Sequence, residues 1–213
     1  MIGSDSPAFA LYSDGTVLFR RKDDYGAVKL NPTELNVLRE AFSSPELTAL
    51  SGGYEATDWT DQPDNDLLLY DRKVPLYITV YGSLDDVQVR AKLSDTILEA
   101  FDRLRNFSAP SAQPWMPGKV EVMVWPYEHA PERSIIWPKR WPALTSPTTR
   151  KRGDLYSIFV PSSELPALRS FFAAQREKGA VEIDGKKWSA SIRLPFPHEE
   201  LWMGPNNEIA TKQ

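Results

Sequence analysis

Residues 9–21 read FALYSDGTVLFRR. Apolar and polar residues alternate on both sides of Asp14-Gly15, the strongest short-range signal for a β-hairpin. Phe9, Leu11, Val17 and Phe19 line one side or the other according to register. The next stretch, NPTELNVLREAF (31–42), changes period. Asn31 can cap a helix, Pro32 suits a first helical turn, Glu34 stands three residues after the cap, and Leu35, Leu38 and Phe42 recur at helical spacing. Strand, turn and capped helix within 34 residues already point to an α+β chain.

The rest of the first half repeats this grammar. After the acidic run TDWTDQPDND (57–66) come two apolar runs, LLLYDRKVPLYITVYG (67–82), which read as a second hairpin about Asp71-Arg72-Lys73. SDTILEAFDRLRNF (94–107) is a second helix, capped by Ser94, with Ile97, Phe101 and Leu104 on one stripe. SAPSAQPWMPG (108–118) has the composition of a linker.

The second half opens on the strand KVEVMVWPY (119–127) and reaches DLYSIFV (154–160), a helix in PSSELPALRSFFAAQREKG (161–179), and a hairpin on Asp184-Gly185 in AVEIDGKKWSASIRLPF (180–196). Both halves therefore run strand, capped helix with a Glu-Leu pair, hairpin with Asp at the bend. The expectation is an α+β fold with antiparallel sheet, two to three helices and a duplicated β–α–ββ unit, against chance similarity of ordinary α+β grammar. Residues 1–110 would form the first half and 111–213 the second, as two units or one continuous domain, with a Trp/Pro-rich insertion at 125–152.

Composition narrows the chemistry. A chain of 213 residues, 41% hydrophobic with seven Trp, can bury a substantial core. It has no Cys, which removes disulfides, thiolate nucleophiles and thiolate metal sites and leaves the redox compartment open. No apolar run approaches the roughly 18 residues of a membrane span. The start MIGSDSPAFALYSDG has neither a basic nor an apolar leader region, so the expected location is cytoplasmic, or exported if a signal has been removed.

Charge is uneven. Residues 1–110 carry 18 acids against 11 bases, and residues 111–213 carry 11 acids against 14 bases. Arg133, Lys139, Arg140, Arg150, Lys151 and Arg152 follow one another without an intervening acid. A nucleic-acid binder would need a strongly basic domain and a recognisable motif, and neither exists here, so no nucleic-acid partner is expected.

Catalytic signatures are sparse. There is no G-x-S-x-G elbow and no phosphate-binding glycine loop. The histidines are His129 and His198. His129, between Glu128 and Glu132, could be a general base held by a carboxylate, in a hydrolase-type site, or a structural hydrogen-bonder in a loop. The oxygen-rich run Asp58, Asp61, Asp64, Asn65, Asp66 fails the EF-hand spacing and reads as a solvated turn. No metal and no cofactor are expected.

The most unusual segment is WPYEHAPERSIIWPKRWPAL (125–144). Proline fixes φ and removes a donor, so this stretch is an irregular ordered loop, with room for a cis Trp-Pro bond. Two readings stand. The loop lies over an open sheet face with its indoles plugging the core, or Trp125, Tyr127, His129, Arg133, Trp137, Lys139, Arg140 and Trp141 form a rigid aromatic platform for another protein. The specific expectation is a mixture: Trp125 buried, and at least one of Trp137 and Trp141 with an exposed face.

FALYSDGTVLFRR, followed by Tyr54, TDQPDND (60–66) and VPLYITVYG (74–82), resembles uncharacterised bacterial proteins in which an LYxDGTV hairpin precedes a helix, a TDxP turn and a strand ending VYG. The resemblance covers roughly the first 80 residues. It implies a bacterial origin and carries no activity. Many such proteins are exported or lipid-anchored, whereas this chain shows no signal and no lipobox cysteine. The functional expectation is a non-catalytic binding protein, an immunity- or inhibitor-type partner of another protein. The alternatives are a hydrolase centred on Glu128, His129 and Glu132, and a structural subunit of a homo-oligomer, the oligomeric state being open.

Overall fold

The structure, a computed structural model, describes residues 6–22, 24–70 and 75–199. The fold is mixed α+β, with two compact units. Of the described residues, one takes those from Pro7 to Trp115; the other takes Ser6 and residues 116–199. The boundary falls after Trp115 because the expected linker contains a strand, Gln113–Trp115, that pairs with Tyr25–Lys29.

In chain order the first unit contains β1 (Phe9–Leu11), β2 (Thr16–Arg20), β3 (Tyr25–Lys29), α1 (Pro32–Glu40), α2 (Pro45–Ala49), β4 (Gly52–Glu55), β5 (Asp64–Leu69), β6 (Leu76–Tyr81), α3 (Val87–Arg90), α4 (Asp95–Arg105) and β7 (Gln113–Trp115). β1 and β2 form the hairpin read from residues 9–21, with Phe9 opposite Phe19 and Leu11 opposite Val17. Gly15 takes the positive φ (84°) that closes it. Phe107 meets Phe9 and Phe19 edge-on at 5.1 and 5.0 Å. At α1 the capping box is complete: the Asn31 side chain accepts from the Glu34 N–H and the Glu34 carboxylate accepts from the Asn31 N–H.

Among the described residues, five short helices replace the two or three expected. The additional ones are single turns started by local caps, Ser44 accepting from the Leu47 N–H and Asp86 from the Gln88 N–H. Their apolar content is too small to show as a period. The sheets are also mixed rather than purely antiparallel, because β4 lies parallel to β6 in the order β4-β6-β5. The bend of that second hairpin, Asp71-Arg72-Lys73, lies outside the described residues. Leu76, Ile78 and Val80 of β6 and Leu67 of β5 face Ile97, Ala100 and Phe101 of α4, making a core on one side of this sheet. Each of these Leu, Ile, Val and Phe side chains taken fully from water contributes about 1.5–3 kcal/mol.

The second unit contains β8 (Lys119–Pro126), β9 (Ile135–Ile136), β10 (Arg150–Arg152), β11 (Leu155–Pro161), a 3₁₀ turn (Ser162–Glu164), α5 (Leu165–Ala173), β12 (Val181–Ile183) and β13 (Lys186–Arg193). They form one sheet in the order β10-β11-β8-β13-β12-β9. Asp184 and Gly185 both have positive φ (52° and 74°), as a two-residue hairpin turn requires. α5 ends at Ala173, short of the helix read to Gly179. Gln175 instead donates to the Gly179 carbonyl and closes a turn.

Alternation along β8 divides its side chains between two faces. Val120, Val122 and Val124 join Ile158, Val160, Leu165 and Leu168 in the core under α5. Glu121 faces the other way, and Arg193, its register partner on β13, donates to it at 2.8 Å and also contacts Glu199. Ser6 donates to the Leu194 carbonyl and accepts from its N–H.

The two units share the order strand, helix, hairpin but not the pairing. In the second, β11 belongs to the same sheet as the β12–β13 hairpin; in the first, β3 lies in the sheet β1-β2-β3-β7, apart from the β5–β6 hairpin. A duplicated β–α–ββ sheet is therefore absent among the described residues.

Candidate functional site

The Trp/Pro segment leaves β8 at Pro126 and crosses the helix-bearing face of the second unit. Trp137 and Trp141 are 6% and 4% exposed and belong to the core there. Their indole N–H groups are satisfied internally, Trp137 donating to the Pro142 carbonyl and Trp141 to the Glu164 carboxylate. Trp125 is half-buried on the opposite face, in register with Ser189. The expectation for these three residues is thus reversed. Trp125 follows the strand's alternation away from α5, whereas the loop must lay its two later indoles over an otherwise open core. No peptide bond among the described residues is cis.

The remaining residues of the expected platform are spread around this plug. Tyr127 is half-buried and its N–H donates to the Lys187 carbonyl. His129, Arg133, Lys139 and Arg140 are exposed. Arg140 lies over the Trp141 ring at 4.9 Å and 3.7 Å from Glu164. Farther along, Arg150 stacks over Phe159 and Lys151 over Tyr156, on edge strand β10. Cations on an edge strand keep it from pairing with another chain.

Glu128, His129 and Glu132 are not assembled into a catalytic set. The Glu132 carboxylate accepts from the Lys178 N–H at 2.7 Å and lies 4.0 Å from Arg176, so it holds the turn before β12. Among the described residues no hydrogen bond joins His129 to either glutamate. The acidic run 58–66 is likewise divided, with Asp58 and Asp61 in a loop and Asp64 and Asp66 on β5.

A different surface emerges on the first unit, on the side of the β4-β6-β5 sheet away from α4. Tyr77, Thr79 and Tyr81 alternate outward from β6, opposite Leu68, Asp66 and Asp64 of β5 in turn, with Glu55 of β4 beside Tyr81. Tyr77 and Thr79 both donate to one Asp66 oxygen at 2.8 Å. Burial, with Asp66 and Asp64 adding negative charge, pushes the Tyr77 phenol up to about 12. The loop 56–63 joins β4 to β5 at the end of this face. There the Tyr81 hydroxyl donates to the Trp59 carbonyl (3.0 Å) and accepts from the Gln62 N–H (3.2 Å), and Thr57 Oγ1 accepts from the Trp59 N–H. The loop backbone is braced at three points, yet the Trp59 indole is 77% exposed. Asp58, Asp61 and Asp64, close to it in the chain, are exposed as well. The strands β4, β5 and β6 contain no Lys or Arg.

The sequence reading passed over this face. Its signals were the strict alternation in LYITVY (76–81) and a lone Trp inside an acidic run with no apolar neighbour. Comparison of the chain with protein-family models, with curated proteins and with solved structures finds no match.

Proposed function

We propose that the protein is a non-catalytic binding protein, of immunity or inhibitor type and bacterial origin, that docks onto another protein through the outer face of the β4-β6-β5 sheet. The observation that carries this reading is Trp59. Leaving a large indole in water is unfavourable, while the loop that presents it is fixed by Tyr81 and Thr57. A fixed aromatic side chain loses little freedom on binding and buries much area, which is why Trp and Tyr dominate interface hot spots. The half-buried Tyr77 and Tyr81 extend the surface from Trp59 across the sheet. The hydrolase reading loses support because Glu132 is committed to the turn at Lys178.

The test is a paired capture. Wild type and Trp59→Ala are immobilised side by side and exposed to the same extract of the native host. A hot-spot Trp contributes about 2 kcal/mol or more, so a true partner should be retained by the wild type and lost from the variant by about thirtyfold in affinity. Both proteins should melt at the same temperature. Equal capture of every retained protein by the two would sink the reading.

A further inference from the structure

Resting on that reading, we infer that the segment seated on this face is cationic, an Arg- or Lys-rich stretch of the partner protein. Three observations converge. Asp58, Asp61 and Asp64 flank the exposed Trp59 in the chain and are themselves exposed, and Glu55 and Asp66 continue the negative charge along the strands. None of β4, β5 and β6 supplies a cation to neutralise them. Among the described cations of the first unit, Arg90 pairs with Asp102 in a two-pronged contact (3.1 and 2.7 Å), Arg105 with Asp85 (2.6 Å) and Lys29 with Asp14 (2.6 Å), so these are already engaged elsewhere.

The chemistry suits a guanidinium or ammonium group. An indole face attracts a cation through its quadrupole, and Tyr rings do so more weakly. Carboxylates close by accept its N–H donors as charge-assisted hydrogen bonds. An acidic partner would meet like charge around the one apolar anchor and be rejected, so the same residues set both attraction and exclusion. An apolar partner would leave Asp58, Asp61 and Asp64 facing it without counter-charge.

A labelled deca-arginine peptide tests this by fluorescence anisotropy, with a deca-glutamate peptide as the opposite charge. Three proteins are compared: wild type; the face variant Asp58→Asn/Asp61→Asn/Asp64→Asn; and a control, Glu40→Gln/Glu46→Gln/Glu99→Gln, which removes the same charge from exposed positions on the helical side. Asn tolerates the positive φ of Asp61 (59°), so the face variant keeps its loop. The expected result is arginine-peptide binding that weakens with added salt, falls about tenfold in the face variant, and changes little in the control. Equal losses in the two variants, or preference for the glutamate peptide, would overturn the cationic assignment. If that happened while Trp59→Ala still lost its captured partner, the binding-protein reading would stand and only the partner's charge would be wrong.

Discussion

The indoles of Trp137 and Trp141 lie 4.9 Å apart, centroid to centroid, and Phe171 of α5 meets both edge-on at 5.7 and 5.5 Å. With Phe171 of α5, the two indoles close the core of the second unit on its helix-bearing side. Replacing either Trp by Ala should cost about 3–5 kcal/mol in urea unfolding, the range for a core aromatic. Trp125→Ala, at a half-buried position, should cost clearly less. Acrylamide quenching of single Trp-to-Phe variants provides an independent check, with Trp59 contributing the readily quenched emission and Trp137 and Trp141 the protected one. A loss at Trp137 no larger than that at Trp125 would refute the plug.

Arg193 and Glu121 have side chains 5% exposed, and Glu199 approaches the same guanidinium. Removing the shared cation strands two carboxylates in a poorly hydrated site. Arg193→Met should therefore destabilise by about 3–5 kcal/mol at neutral pH. The deficit should shrink as pH falls, because protonation neutralises carboxylates that have lost their partner. A pH-independent deficit would mean that lost packing, not stranded charge, sets the cost.

Lys29 Nζ sits 2.6 Å from Asp14, and the Thr16 N–H and hydroxyl also donate to that carboxylate, holding its pKa down at about 2. A depressed carboxylate stabilises the fold above its unfolded value, near 3.8, and that contribution disappears as pH falls towards 2. Carboxyl NMR shifts should show Asp14 titrating near 2, and Lys29→Met should move it back upward. A midpoint near 3.8 in the wild type would contradict the contact.

The Tyr77 phenol behaves in the opposite sense. Raised to about 12, it favours the folded state fully below the unfolded value of 10.0, and this advantage fades as pH climbs through 12. Ultraviolet titration should show a late-ionising tyrosine that vanishes in Tyr77→Phe. Asp66→Ala should lower its midpoint by removing both the hydrogen-bond acceptor and the charge. An unchanged midpoint in that variant would leave burial as the whole cause.

How far the fold could be read depended on whether the information was local. Asp14-Gly15, Asp184-Gly185 and the Asn31–Glu34 pair specify their own turns and cap, and each formed as expected. β7 was hidden because Pro114 and its neighbours have linker composition, and their pairing with β3 is set by residues more than 80 positions away. The strand–helix–hairpin order recurred, but order does not determine which strands pair. At the candidate site the same limit applied. Proline and tryptophan density marked 125–144 as an irregular loop, which holds outside the end of β8 and the two-residue strand β9 that pairs parallel with β12, yet density cannot tell an indole facing the core from one facing water. Trp59 could be placed only once Tyr81, from a strand 22 residues later, was seen to hold its carbonyl.

The bond between Ser6 and Leu194 also bears on how the chain matures during synthesis. The two residues are 188 positions apart. At roughly 5–20 residues per second, translation separates their appearance by about 10–40 s. Every described strand and helix of the first unit is available once Trp115 has been made, whereas the second unit must wait for β13 and for the residue after it. The chain's earliest described residue thus belongs to the part that closes last, and a ribosome-bound nascent chain would carry every described element of the first unit while the other sheet still lacked one of the two strands that flank β8.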